Sequence, residues 1–335
     1  MQKTFSFLFL PCLFFSIFFI ISAKTWIMAW MGLEINLMMF IPMLCNQKNK
    51  LYSESAMKYF LVQALASSIF LYSIIMLYFL NFKYTDEMVK TITLLALITK
   101  MGGAPFHFWF TSVIEGMNWF NSLLLMTWQK MGPLTLLMNL KNSNFLLFSS
   151  MLSACIGGLG GINQNSIRKI MAFSSISHIG WMMATIIYNK NNLIIYFFIY
   201  TFIISSLISL FKFFNLYQIN QLSNMYMCSI FLKIGLIINL LSLGGMPPLL
   251  GFLPKWILIN YLINLNQLLL LSVLVLSSLL TLYMYMRLSL NMFMLNFWTN
   301  NWLNYMILSK PLLNYFMMSS FISMMGLFMI IFILT

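Results

Sequence analysis

Charge is what this sequence has least of. Asp, Glu, Lys and Arg together make up 7% of the 335 residues, and apolar residues make up 61%. A soluble domain carries ~25% charged residues, so this chain cannot cover a water-facing surface and its solvent is largely lipid. Acids are scarcest: Glu34, Glu54, Asp86, Glu87 and Glu115 stand against sixteen Lys and two Arg. The net charge of +13 does not argue for nucleic acid, because the basic residues are scattered between apolar runs in the manner of loop charge on a membrane protein. Cys12, Cys45, Cys155 and Cys228 lie far apart with no C-x-x-C, which excludes a zinc or iron–sulfur framework. No G-x-G-x-x-G or P-loop stands in a strand–helix setting, so no nucleotide site is visible.

What is present is a succession of long apolar stretches. A helix needs about 20 apolar residues to cross a ~30 Å hydrocarbon core. On that measure the chain is an all-α polytopic membrane protein with about eleven transmembrane helices. The stretches run at roughly 4–22, 25–45, 56–80, 88–111, 120–140, 144–163, 168–188, 191–215, 231–264, 267–290 and 313–334. The first has too long a core, and too poor a cleavage site at Ile21-Ser22-Ala23, to be a secretory signal. The connections are short and polar, as at Asn46 to Lys50, Lys83 to Glu87, Lys141 to Ser143 and Asn189 to Asn192, leaving room for no soluble domain. With the N-terminus inside, Lys3, Lys48, Lys50, Lys58, Arg168, Lys169, Lys212, Lys233, Arg287 and Lys310 fall on the inner side, against Lys24, Lys83, Lys90, Lys141 and Lys190 outside, so the positive-inside rule sets that orientation.

Two stretches are expected to break. The fourth carries Gly102-Gly103-Ala104-Pro105 and the ninth Gly244-Gly245-Met246-Pro247-Pro248, followed by Gly251 and Pro254. Proline removes a backbone donor and clashes with the preceding turn. A broken backbone at membrane depth survives only beside protein or a wet cavity, and two such breaks in two halves point to an ion-transport fold built from repeated bundles. The simpler alternative is that Pro and Gly only kink bundle helices. The Gly157/Gly161 pair is a G-x-x-x-G spacing that lets helices approach closely.

Ionisable residues at mid-membrane need a reason, since each costs ~2.5–3.5 kcal/mol on insertion scales. Five qualify: Glu34, Lys100 before the first break, Lys130, His178, and Lys255 after the second break. Lys100 falls in a last helical turn, whose unpaired carbonyls favour a cation, whereas Lys255 falls near a half-helix start, whose N–H groups oppose one. A static Glu34–Lys100 ion pair and a hydrogen-bonded core His178 are the bland readings. Taken together, one acid, three lysines and a histidine form a row of exchangeable protons. Two unit charges ~8 Å apart at an effective dielectric of ~20 interact by about 2 kcal/mol, so displacing the Glu34 charge would bias whether Lys100 holds its proton.

These residues sit in longer motifs. Trp30-Met31-Gly32-Leu33-Glu34-Ile35-Asn36-Leu37, Lys100 to Trp109, Thr127-Trp128-Gln129-Lys130, Gly160 to Gln164, Arg168 to His178 and Leu243 to Trp256, in that order and spacing, resemble the subunit 2 family of animal mitochondrial NADH:ubiquinone oxidoreductase, respiratory complex I. The resemblance weakens after about Arg287, and the Asn- and Lys-rich composition resembles that of an insect mitochondrial genome. It implies an antiporter-like, proton-pumping subunit of the membrane arm with inverted five-helix repeats. It divides one 1–335 membrane domain into a first bundle near 25–140, a second near 144–290 and a C-terminal helix at 313–334. Animal members resemble versions lacking three N-terminal helices.

By that resemblance Glu34 and Lys100 are the acid–lysine pair of the inlet half and Lys130 the central lysine. His178 belongs to a hydrated bridge and Lys255 is the lysine toward the outlet or the next subunit. The resemblance also implies no cofactor in this chain, with flavin, iron–sulfur clusters and ubiquinone in other subunits. It further implies partners among the other membrane-arm subunits, including a neighbouring antiporter-like subunit and the small subunit 4L, with accessory subunits and lipids. The location it implies is the mitochondrial inner membrane with the N-terminus in the matrix. Lys233, the loop Leu216 to Asn224 and the region Asn291–Pro311 receive no role from it. Two rival readings of the residues are a free-standing cation/proton antiporter and a structural scaffold whose buried charges fix helix register.

Overall fold

In lipid the backbone has no water to bond to, so each segment closes its own hydrogen bonds as helix. A computed structural model describes residues 2–45, 50–79, 83–140, 143–188, 190–223, 230–293 and 310–326. Nearly all of these are helical, with no named strand among the described residues. Six of the helices found there are long and apolar enough to cross a membrane. The connecting residues Asn46–Asn49, Lys141 and Asn142, Cys228, and residues 294–309 of the region 291–311 lie outside the described residues. The chain divides into two compact units, Met1–Ser153 and Ala154–Thr335.

In the first unit α1 (Gln2–Ser22) packs on α2 (Trp26–Leu44), and α3 (Lys50–Phe79) lies against α2 and α4 (Lys83–Met101). Thr25 starts α2 by accepting the Met28 N–H on its hydroxyl, an ordinary N-cap. The fourth apolar stretch breaks as expected: α4 ends at Met101 and α5 (Phe108–Glu115) begins after the Gly-Gly-Ala-Pro segment. The fifth is also interrupted, which was not anticipated. There α6 (Trp119–Met126) stops and α7 (Trp128–Leu137) starts on the far side of Thr127. The Thr127 hydroxyl donates to the Leu123 carbonyl at 2.7 Å, and Pro133 withholds the N–H that would pair with the Gln129 carbonyl.

The second unit is organised on α9 (Ile167–Tyr188), the most thoroughly buried of the long helices. Its neighbours include α10 (Lys190–Phe213), α13 (Phe252–Asn264) and α14 (Leu268–Phe293). The glycines of α8 (Ser143–Ile162) let α9 and α14 come close: a Cβ on Gly157 would overlap the Ser177 backbone, and one on Gly161 would overlap the Met284 sulfur. That is the packing expected of the Gly157/Gly161 spacing.

Within the loop Leu216 to Asn224, whose last residue lies outside the described residues, the chain forms the short α11 (Asn220–Ser223). Ile167 N–H donates to the Tyr217 carbonyl and Ile219 N–H to the Asn165 carbonyl, at 2.9 and 3.1 Å, while the Arg168 guanidinium stacks on the Tyr217 ring. Arg287 completes this end by donating to the carbonyl of Ile162 at 2.6 Å.

The ninth stretch also breaks, into α12 (Ile230–Gly244) and α13. Its turn is held by α15 (Lys310–Met324), whose Ser323 carbonyl accepts the Leu250 N–H at 3.0 Å. Both breaks end on the same device. Gly102 and Gly245 take φ of +76° and +80°, and the N–H groups of Gly103 and Met246 reach back five residues to the carbonyls of Ile98 and Leu241. This is a Schellman ending, for which only glycine has low cost. Gly251 packs so tightly that a Cβ there would overlap the Ser242 carbonyl oxygen, whereas Gly244 has 3.3 Å to the Tyr285 ring. Gly251→Ala is therefore expected to destabilise the folded protein by roughly 1–3 kcal/mol and Gly244→Ala to be tolerated, as read from the thermal unfolding of each variant in detergent.

Candidate functional site: two buried amine centres

Breaking α4 at membrane depth releases carbonyls that need donors. Three receive them from within the first unit: Gly103 N–H serves Ile98, the Trp109 indole serves Thr99 at 3.0 Å, and the Gln63 amide serves Lys100 at 3.2 Å. Trp109 comes from α5 and Gln63 from α3, so the interrupted helix is tied on two sides.

Lys100, in the last turn of α4, is 7% exposed, and Lys130, in the first turn of α7, is 1% exposed. Both line one cavity of about 20 Å³ together with Tyr59, Gln63, Trp109, Phe110 and the amides Asn36 and Gln129. A polar cavity of that size has room for a water molecule. Asn36 and Gln129 form a reciprocal amide pair, with bonds of 2.7 and 3.1 Å, which joins α2 to α7 beside Lys130. The Lys130 amine lies 5.4 Å from the centre of the Phe110 ring.

Glu34 sits half-buried on α2, one residue outside this lining. Its Oε1 is buried without a hydrogen-bond partner. No ion pair within 4 Å joins Glu34 to Lys100, whereas Glu54 and Lys58 form an exposed pair on α3. The static salt bridge is thus not what the structure has. Of the other acids, Glu87 and Glu115 are exposed, and the Asp86 side chain lies outside the described residues.

The second unit holds His178 and Lys255. His178, in the middle of α9, bonds through Nδ1 to the Tyr196 hydroxyl at 2.8 Å, and its ring lies 4.9 Å from that of Tyr200. A cavity of about 10 Å³ beside it is lined by Ser242, Gly251 and Pro254. Lys255, 4% exposed, does not meet the N–H groups of its own helix. Its amine donates to the Gly244 carbonyl at 2.9 Å, the last carbonyl of α12, and lies 5.5 Å from the Trp181 ring. The expected dipole environment is reversed, because the chain folds back at the break and brings the lysine to the carbonyl end of the preceding half-helix. Gly245 permits this, since a Cβ there would stand 2.8 Å from the lysine nitrogen.

Among the described residues no group of three or more His, Cys, Asp or Glu is placed to hold a metal. Asn36, Tyr59, Gln63 and Gln129 were not singled out from the sequence. Each has a signal there all the same, as a polar side chain inside an apolar stretch.

A multi-pass helical protein whose helices end on glycine at membrane depth, beside buried lysines, defines the antiporter-like class. Residues 23–281 match the family described as NADH:quinone oxidoreductase/Mrp antiporter, transmembrane. The chain is 46% identical over 334 residues to NADH-ubiquinone oxidoreductase chain 2 of Anopheles gambiae, covering 98% of each, and 38% identical to that of Locusta migratoria, covering 96% of this chain and 94% of the other. In fold it is similar to a chain of respiratory complex I from Thermus thermophilus, with a TM-score of 0.87 at 21% identity over 96% of this chain and 78% of that one. It is similar in the same way to a chain of the Mrp complex from Dietzia, with a TM-score of 0.78 at 18% identity, covering 85% and 60%. The chain belongs to the NADH-ubiquinone oxidoreductase chain 2 family.

The amide pair yields a test. Asn36→Leu or Gln129→Leu alone leaves a buried amide unpaired and is expected to cost about 1–3 kcal/mol, with the double substitution costing less than the sum. A double-mutant cycle on thermal stability reads the difference.

Proposed function

We infer that this chain is the proton-translocating membrane-arm subunit of NADH:ubiquinone oxidoreductase, with no redox centre of its own. Glu34, Lys100 and Lys130 handle protons in the first unit and His178 and Lys255 in the second, driven by quinone reduction in other subunits. The observation that carries the reading is that Lys100 and Lys130 are both buried and line the same water-sized cavity beside an interrupted helix. A lysine held only for packing has no use for such a cavity, whereas one that exchanges a proton requires it. The carboxylate of Glu34, near but not bonded, suits a charge that biases Lys100 without locking it.

In this reading the chain crosses the mitochondrial inner membrane about eleven times, with its N-terminus in the matrix and with two inverted five-helix bundles. The shared Gly-ended breaks at Gly102 and Gly245 support the repeat. Its partners are the other membrane-arm subunits, among them a neighbouring antiporter-like subunit and the small subunit 4L, together with accessory subunits and lipids. Flavin, iron–sulfur clusters and ubiquinone belong to other subunits.

Lys130→Met, which keeps the length of the side chain and removes the exchangeable proton, separates pump from scaffold. The complex is expected to assemble to a normal level and to lose coupled proton translocation by at least about tenfold. Native-gel abundance and proton uptake driven by NADH, measured on the same membranes, provide the check. Lost assembly would favour the scaffold.

A further inference from the structure

Beyond the charged groups, the second unit contains a neutral partner for His178 that the translocation reading does not use. Tyr196 lies on α10, 18 residues along the chain, and is 2% exposed, with its hydroxyl 2.8 Å from His178 Nδ1. One turn further on, the Tyr200 ring packs on the imidazole at 4.9 Å and 50°. The imidazole is therefore held by a hydroxyl at one nitrogen and by an aromatic ring at its side.

The chemistry of that hydroxyl matters. A carboxylate at Nδ1 would bind the imidazolium and hold its proton. A phenol oxygen carries no charge and accepts from Nδ1–H whether the ring is neutral or charged. The bond survives both states and the ring does not reorient. With hydrogen kept on Nδ1 in each state, gain and loss of the proton fall to Nε2.

We propose that Tyr196 is a positioning residue for proton transfer at His178, fixing the ring so that exchange takes place at Nε2 in both charge states. This rests on the reading that the chain translocates protons. The other titratable groups around His178 among the described residues include Tyr200 on α10, Lys255 on α13, whose amine lies over Trp181 one turn along α9, and Tyr285, buried on α14, a helix that packs on α9. From α8 the approach to α9 at Ser177 is made by Gly157.

The test uses the assembled complex in sealed membranes with Tyr196→Phe, which deletes the oxygen and keeps the ring, and Tyr200→Phe as the control, which deletes the neighbouring hydroxyl and keeps the ring packed on His178. Tyr196→Phe is expected to assemble, to keep its KM for NADH and quinone, to lower coupled turnover about tenfold, and to displace the pH profile of that turnover by about one unit. Tyr200→Phe is expected to leave the profile in place. The proposal is overturned if Tyr196→Phe prevents assembly, if it leaves turnover and profile unchanged, or if Tyr200→Phe has the same effect, since each result makes the hydroxyl a packing group. Lys130→Met in the same membranes keeps the two readings apart. If that variant pumps normally, the translocation reading itself fails; if it does not, and Tyr196→Phe does, only the inference about Tyr196 fails.

Discussion

A peptide carbonyl released at membrane depth has no water to turn to, and each Gly-ended helix of this protein releases several. How those carbonyls are answered decides much of what surrounds them. In the first unit the donors are neutral: two backbone N–H groups, the Trp109 indole and the Gln63 amide. In the second, the last carbonyl of α12 is answered by Lys255 itself. The same turn, built on Gly102 in one case and Gly245 in the other, thus gives two chemically different centres. Lys100 stands at a cavity shared with a second lysine, and Lys255 stands on a carbonyl between an aromatic ring and a glycine.

That difference bears on how a buried amine holds or releases a proton. A bond to a carbonyl is available to an amine in either charge state, because both forms have hydrogens to donate. Lys255 therefore keeps its place whether or not it is charged. In the proposed reading the first unit works through electrostatics at a distance. Glu34 makes no ion pair with Lys100, and an interaction of about 2 kcal/mol, the size expected of two unit charges ~8 Å apart at an effective dielectric of ~20, is large enough to redistribute a proton and small enough to be reversed. The Asn36–Gln129 amide pair joins α7 to α2 one residue before Lys130.

Much of this was legible in the residues. The apolar runs mark the helices, and Gly102-Gly103 and Gly244-Gly245, each followed by proline, mark the two breaks, because glycine and proline act on the backbone locally. Buried charge was legible for the same reason, since a lysine among twenty apolar residues has little choice of surroundings. What could not be read depends on contacts distant in sequence. Lys255 sits at the start of its helix, and nothing local says that the chain doubles back to lay it on the Gly244 carbonyl. The interruption at Thr127 has no glycine to announce it and depends on a hydroxyl bonding to the carbonyl four residues before it. The amide pair joins residues 93 apart, and His178 and Tyr196 meet only because α9 and α10 pack together.

The central claim is that interrupted helices keep lysines beside water inside the membrane, so that protons have somewhere to go. A density map of the intact assembly sharp enough to show ordered water tests this most directly. The account predicts water in the cavity bounded by Lys100, Gln129 and Lys130, within hydrogen-bond distance of at least one of the two amines. A dry cavity with both amines turned from it, in every state of the working complex, would contradict it.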